Sequence, residues 1–189
     1  MNDPLPNTAV WMIHHHLARA PHFALPAGYD MRFYREGDVP TWMRIQQAAE
    51  THFVPTAEIF ARSMPGDTAY LTARVMFLVD PSGAEIGTIT AWNDDLFNGR
   101  DMGRIHWVAI IPDAQGRGLA KPMMSAACDV LRTRGYPAAW LETNTRRIPA
   151  LNLYLQFGFK PHPRDETERN AWRAIAPHLK FYTDGREIR

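Results

Sequence analysis

Ile110-Ile111-Pro112-Asp113-Ala114-Gln115-Gly116-Arg117-Gly118-Leu119-Ala120 separates a β-prone run, Arg104 to Ile110, from an amphipathic run, Leu119 to Arg134. A strand that ends in a glycine-rich turn and opens directly into a helix can cradle a phosphate. The turn aims backbone N–H groups outward, and the helix start adds unpaired N–H groups at the positive end of its dipole. Gly116 and Gly118 reach backbone angles that other residues avoid, and without a Cβ they let an anion approach closely. Arg117 and Lys121 add positive charge. An ordinary strand-to-helix turn has the same local pattern, so the surrounding sequence must decide.

Working outward, 189 residues suffice for one domain with a sizeable core. A hydrophobic content of 46% and a charged content of 22% are ordinary globular values. A formal net charge of +1 gives no global field that would draw nucleic acid or an acidic membrane. The single cysteine, Cys128, excludes an intramolecular disulfide, suits a reducing compartment and falls inside the expected helix as a buried thiol. No run reaches the apolar length of a membrane span, and Met1 to Asn7 has no basic region of a signal peptide. A cytoplasmic location is expected.

Upstream, residues 1–28 read as an extension carrying an edge strand at Val10 to Leu17. The His14-His15-His16 run alternates faces on a strand and has no partner at ligand spacing, so no metal is expected. Tyr29 to Arg35 reads as a strand. Asp38 is the expected N-cap of a helix with Pro40 in its first turn and Trp42, Ile45 and Ala49 on its apolar stripe. Thr56 to Ser63 forms a second helix. Ala73 to Val79 and Glu85 to Trp92 form a hairpin about Pro81-Ser82-Gly83, with Asn93-Asp94-Asp95 closing the second strand as a turn.

Downstream, Gly135 is the expected C-cap of the helix after the glycine turn. Ala138 to Thr143 reads as a strand, Ile148 to Phe157 as a helix stopped at Gly158, Asp165 to Ile175 as a surface helical insertion, and Leu179 to Tyr182 as a last strand. The order is that of a mixed α/β (α+β) sheet covered by helices, with residues 29–189 as a single domain.

Two blocks carry a resemblance. Gln115-x-x-Gly118-x-Ala120, after a Val/Ile-x-Pro strand end, resembles the acetyl-CoA signature Gln/Arg-x-x-Gly-x-Gly/Ala of the GCN5-related N-acetyltransferase superfamily. About thirty residues later, Ala150, Leu153, Tyr154, Gly158 and Phe159 match in register the same family's Asn-x-x-Ala-x-x-Leu-Tyr-x-x-x-Gly-Phe block. The family's asparagine falls at Arg147, a departure from the commonest pattern. The likeness covers roughly residues 29–159.

The resemblance implies an acyl-CoA N-acyltransferase fold, with a mostly antiparallel sheet splayed between the strand 104–110 and the strand 138–143, where acetyl-CoA would lie. Backbone groups of Val108, Ala109 and Ile110 would pair with the pantetheine arm. The N–H groups of Gln115, Gly116, Arg117, Gly118, Leu119 and Ala120 would hold the pyrophosphate, with Lys121 and Arg147 beside the cofactor. Many relatives pair, which leaves room for a homodimer.

The implied reaction is direct attack of a primary amine, on a small molecule or a peptide, on the thioester of acetyl-CoA. It needs a base, an oxyanion donor and an acid for the departing thiolate. The resemblance gives the acid role to Tyr154 and the oxyanion to a backbone N–H of the central strand. His106 titrates near neutrality and is the candidate base, on a face with Val108 and Ile110 if no bulge intervenes. Glu142, Asp94 and Asp95 are alternatives that could instead attract a cationic amine. Trp92 and Trp107 could wall the acceptor pocket or fill the core. A non-catalytic acyl-CoA-binding module is the alternative reading. A nucleotide site is disfavoured, because the turn lacks the Lys-Ser/Thr ending that holds phosphates and Mg²⁺.

Overall fold

The computed structural model of the protein describes residues 5–51, 53–97 and 100–182, with the side chains of residues 94–96, 100 and 101 outside it. The strands are β1 (Ala9–His14), β2 (Asp30–Phe33), β3 (Val75–Val79), β4 (Glu85–Phe97), β5 (Arg100–Ile110), β6 (Ala139–Asn144) and β7 (Lys160–Pro161). The helices are α1 (Val39–Ala49), α2 (Ala57–Ser63), α3 (Thr68–Leu71), α4 (Ala120–Thr133), α5 (Ile148–Gln156) and α6 (Glu166–Ile175). They fall into two compact units, Pro21–Tyr136, and Met1–Ala20 with Pro137–Arg189.

In the unit 21–136, β2, β3, β4 and β5 pair antiparallel in that order. The β3–β4 turn is held by Asp80, whose Oδ1 accepts from the backbone N–H of Ser82 at 2.9 Å and of Ala84 at 3.1 Å. One face of this sheet carries the larger core, in which Trp42 and Ile45 of α1 and Phe60 of α2 pack with Phe77, Trp92 and Ala109. Thr56 caps α2, its hydroxyl accepting from Ile59 N–H at 3.3 Å. The other face receives α4: a Cβ on Gly103 would meet the Leu131 side chain at 2.7 Å, so a larger residue there would force that leucine to shift. Gly135, at φ 86°, ends α4 as expected; Tyr136 N–H donates to Leu131 O at 3.1 Å and Gly135 N–H to Arg132 O at 2.9 Å.

In the other unit, β1 pairs antiparallel with β6 from Ala9↔Asn144 to His14↔Ala139, and with β7 at Met12↔Pro161 and Ile13↔Lys160. β1 therefore runs between two strands instead of forming an edge. Its side chains Val10, Met12 and Ile13 are buried, as is Leu17 just beyond it. α6 is capped by Asp165, which accepts from Glu168 N–H at 2.8 Å, and it buries Ala171, Trp172 and Ile175 at helical spacing.

Four further expectations are corrected. Asp38 precedes α1 but makes no capping bond; its carboxylate is taken by Arg32, at 2.6 and 2.9 Å, and by the N–H of Arg35 at 2.7 Å. Asn93-Asp94-Asp95 is not a turn, because β4 continues to Phe97 and pairs as far as Phe97↔Arg100. Leu179 to Tyr182 forms no strand; the sheet partner of β1 in that region is Lys160–Pro161. His106 lies on a different face from the one expected, for the reason given below.

Candidate active site

β5 does not pair regularly with β4. Thr90 opposes His106 and Thr88 opposes Ala109, so two steps on β4 span three on β5. The extra residue is a β-bulge, and Trp107 absorbs it at φ 51°, the one positive φ outside glycine among the described residues. Thr88 and Thr90 share a face, so the bulge puts His106 on the face of Ala109 and not with Val108 and Ile110 as an unbroken strand would. That face is the one covered by α1 and α2, where Trp92, Trp107 and Ala109 belong to the core. Both tryptophans make ring contacts there: Trp107 meets Trp42 edge-on at 4.9 Å and Phe53 at 6.2 Å, and Trp92 meets Tyr70 at 5.0 Å.

The Trp107 carbonyl has an unexpected partner. Gln46, on the buried face of α1, donates from Nε2 to it at 3.0 Å. Neither sequence block points to Gln46. The readable sign is a polar residue on the apolar stripe of an amphipathic helix.

His106 is half-buried, and its ring lies 5.3 Å from that of Trp107. Burial, with the Arg104 charge adding to it, pulls its imidazole well below the usual histidine value. At neutral pH it is uncharged, and the same burial makes it a weaker base than a free imidazole.

The glycine turn is built as its sequence suggests. Pro112–Ala114 form a 3₁₀ turn, and Gln115 Nε2 donates back to Ile110 O at 2.8 Å, tying the loop to the strand end. Gly116 and Gly118 sit at φ 73° and 78°, and a Cβ on either would point into open space. α4 starts without a side-chain cap. Among the described residues no hydrogen bond reaches the N–H of Gly116, Arg117, Gly118, Leu119 or Ala120. Five successive free donors at the start of a fourteen-residue helix fit an anion of pyrophosphate type. Arg117 is exposed and donates to Asp113 O at 2.7 Å, and the Lys121 ammonium lies 5.2 Å from the ring centre of Phe23.

The unit containing α5 holds the second block. Tyr154 is buried, and among the described residues its hydroxyl takes no hydrogen bond. Burial pushes its phenol up to about 12, against a small opposing effect of Arg147. It is a neutral O–H donor at any working pH. Arg147 precedes α5, is exposed, and accepts from Leu151 N–H at 3.0 Å. Glu142 is exposed on β6 and accepts from Trp11 Nε1 at 2.7 Å. The side chains of Asp94 and Asp95 lie outside the described residues. Cys128 is buried in α4, its thiol pushed up to about 12 by burial, as suits a packing group. Of the three histidines, His14 is buried while His15 and His16 are exposed; among the described residues no group of three or more His, Cys, Asp or Glu could hold a metal ion.

Comparison with known proteins agrees with this geometry. A mycothiol acetyltransferase of Arthrobacter sp. (strain FB24) is 29% identical over 147 residues, 75% of this chain and 46% of the relative. The chain spans about half the length of the curated relatives it matches. Among solved structures, a GCN5-related N-acetyltransferase from Sphaerobacter thermophilus superposes with a TM-score of 0.67 at 19% identity, covering 82% of this chain and 49% of that one. The NatC complex bound to Gag peptide and CoA matches with a TM-score of 0.56 at 22% identity, covering 67% of this chain and 80% of that one. These likenesses show the fold. The sequence model of the Acetyltransferase (GNAT) family matches residues 39–159, from α1 through both signature blocks, and the chain belongs to that family.

Proposed function

We propose that the protein is an N-acetyltransferase that moves the acetyl group of acetyl-CoA to a primary amine. The observation that carries this reading is the run of free N–H groups from Gly116 to Ala120 in the family's signature turn, a fit to the pyrophosphate of CoA. Acetyl-CoA supplies an acyl thioester, and this chain's residues do the rest. Residues 116–120 hold the phosphates, with Arg117 and Lys121 adding charge and Gln115 bracing the loop. Backbone groups of Val108 to Ile110 align the pantetheine arm, and Arg147 lies in the second block beside Tyr154.

His106, uncharged at neutral pH, takes the ammonium proton directly or through water, so the neutral amine can attack. The C–N bond forms and the C–S bond breaks, Tyr154 gives its phenolic proton to the departing thiolate, and the proton shed by the new amide nitrogen passes through water to restore the phenol. A phenol held near 12 stays protonated until the sulfur needs the proton. Asp94, Asp95 and Glu142 are the carboxylates proposed to draw in a cationic acceptor. The mycothiol acetyltransferase relatives favour a small-molecule amine over a peptide.

The test is CoA thiol release from acetyl-CoA across a panel of small amines and peptides, with wild type beside Tyr154→Phe. Turnover by wild type, reduced roughly 10²-fold or more in the variant with unchanged acetyl-CoA binding, is expected. Tight CoA binding with no turnover on any amine would instead identify a binding module.

A further inference from the structure

We infer that Gln46 is a positioning residue for acyl transfer, setting the direction of the Val108 N–H at the β5 bulge. The inference rests on the acetyltransferase reading above and goes beyond the signature blocks, neither of which contains Gln46.

Trp107 sits at φ 51°, a conformation strained for an L residue, which persists only where its surroundings hold it. Two groups hold it. The indole is wedged between Trp42 and Phe53. The carbonyl is claimed by Gln46 Nε2 at 3.0 Å, from a side chain only 5% exposed. This second bond has a geometric consequence. In a trans peptide the C=O and the following N–H point in opposite directions. With the Trp107 carbonyl drawn toward α1, the Val108 N–H is turned away from α1. Ladder pairing alone would not fix this peptide plane, because the register slips here by one residue.

Within the acetyltransferase reading, an N–H of this strand meets the oxyanion that develops when the amine attacks. A donor helps there only if it is already aimed. Gln46 acts at one remove: it touches neither acetyl group nor amine, and it holds the peptide that does. Its amide also fills a buried polar position on the apolar stripe of α1, where a simple packing role would be met equally well by methionine.

The experiment uses the full chain at pH 8 with Gln46→Met, which keeps the length and removes the donor, and Gln46→Glu, which sets a carboxylate against the Trp107 carbonyl. Thermal melts define a temperature at which all three proteins are folded. Three quantities are read there: kcat, KM for acetyl-CoA, and the ¹H–¹⁵N shift and exchange rate of the Val108 amide. Misplacing one oxyanion donor is expected to lower kcat by ~10-fold in the methionine variant and further in the glutamate variant, with KM for acetyl-CoA within about twofold. The Val108 amide should move in the same order. Wild-type kcat in Gln46→Met, or lowered kcat with an unmoved Val108 amide, overturns the assignment and leaves the acetyltransferase reading intact. Absence of turnover by wild type on every amine overturns that reading, and the catalytic role of Gln46 with it.

Discussion

Arg32 joins three elements through one guanidinium. It forms two bonds to Asp38 and two to Glu85, at 2.8 and 3.1 Å, and lies 4.6 Å above the ring of Phe77. Burial alone would raise the Asp38 carboxyl, but the Arg32 and Arg35 bonds outweigh it and hold it below its usual range. The Arg32 bond holds Glu85 low as well. Carboxyls lowered in the folded state stabilise it at pH values above their unfolded pKa, about 4, and that stabilisation is lost as pH falls through the folded values. Arg32→Met should therefore cost about 1–3 kcal/mol at pH 7 and flatten the acid side of a stability-versus-pH curve measured by urea unfolding. A variant with the wild-type acid slope would show that other groups set it. This network also explains why Asp38 stands at the N-cap position of α1 without a capping bond: sequence shows an acid before a helix, but not an arginine arriving from the preceding strand.

At the scale of elements, the turn into α4 was fully legible, because glycine spacing and a following amphipathic run have direct conformational meaning. Gly118→Ala should cost about 1 kcal/mol of stability, since φ is 78° and the space beyond is open. It should weaken acetyl-CoA binding by ~10-fold in calorimetry, because the added methyl occupies the approach of the anion to the free N–H groups. Equal affinity for CoA would remove the turn from the site. The bulge in β5 was not legible. Bulges with positive φ favour glycine, and here tryptophan takes the position because flanking aromatic rings and Gln46 hold it. One unseen extra residue was enough to turn His106 onto the other face. The length of β4 was hidden for a related reason: Asn93, Asp94 and Asp95 are turn formers by propensity, but the ladder to β5 overrides them.

For the molecule as a whole, the family could be read from two short blocks, and most of the order of strands and helices from local patterning. The partners of β1 could not. Its pattern reads as a strand, but pairing with β6 from Ala139 onward is a contact across more than a hundred residues that no local signal encodes. Val10, Met12, Ile13 and Leu17 are all buried, and each contributes roughly 1.5–3 kcal/mol. Their sum is comparable to the entire stability of a domain, about 5–15 kcal/mol. Deleting residues 1–20 should therefore collapse the unit that contains β6 and α5, seen as lost amide protection at Trp140 and Leu141 in hydrogen exchange. Protection at wild-type level in the truncated chain would show that β6 and β7 suffice without β1.

The placement of β1 also governs the order of events during synthesis. All of residues 21–136 must leave the ribosome before β6 can meet β1, a wait of roughly 6–25 s at about 5–20 residues per second. The four-stranded unit can be complete while an apolar strand, made before it, is still without its partners. This strand is thus secured later than the unit that follows it, and the interval in which it must avoid other nascent chains is set by the length of that unit.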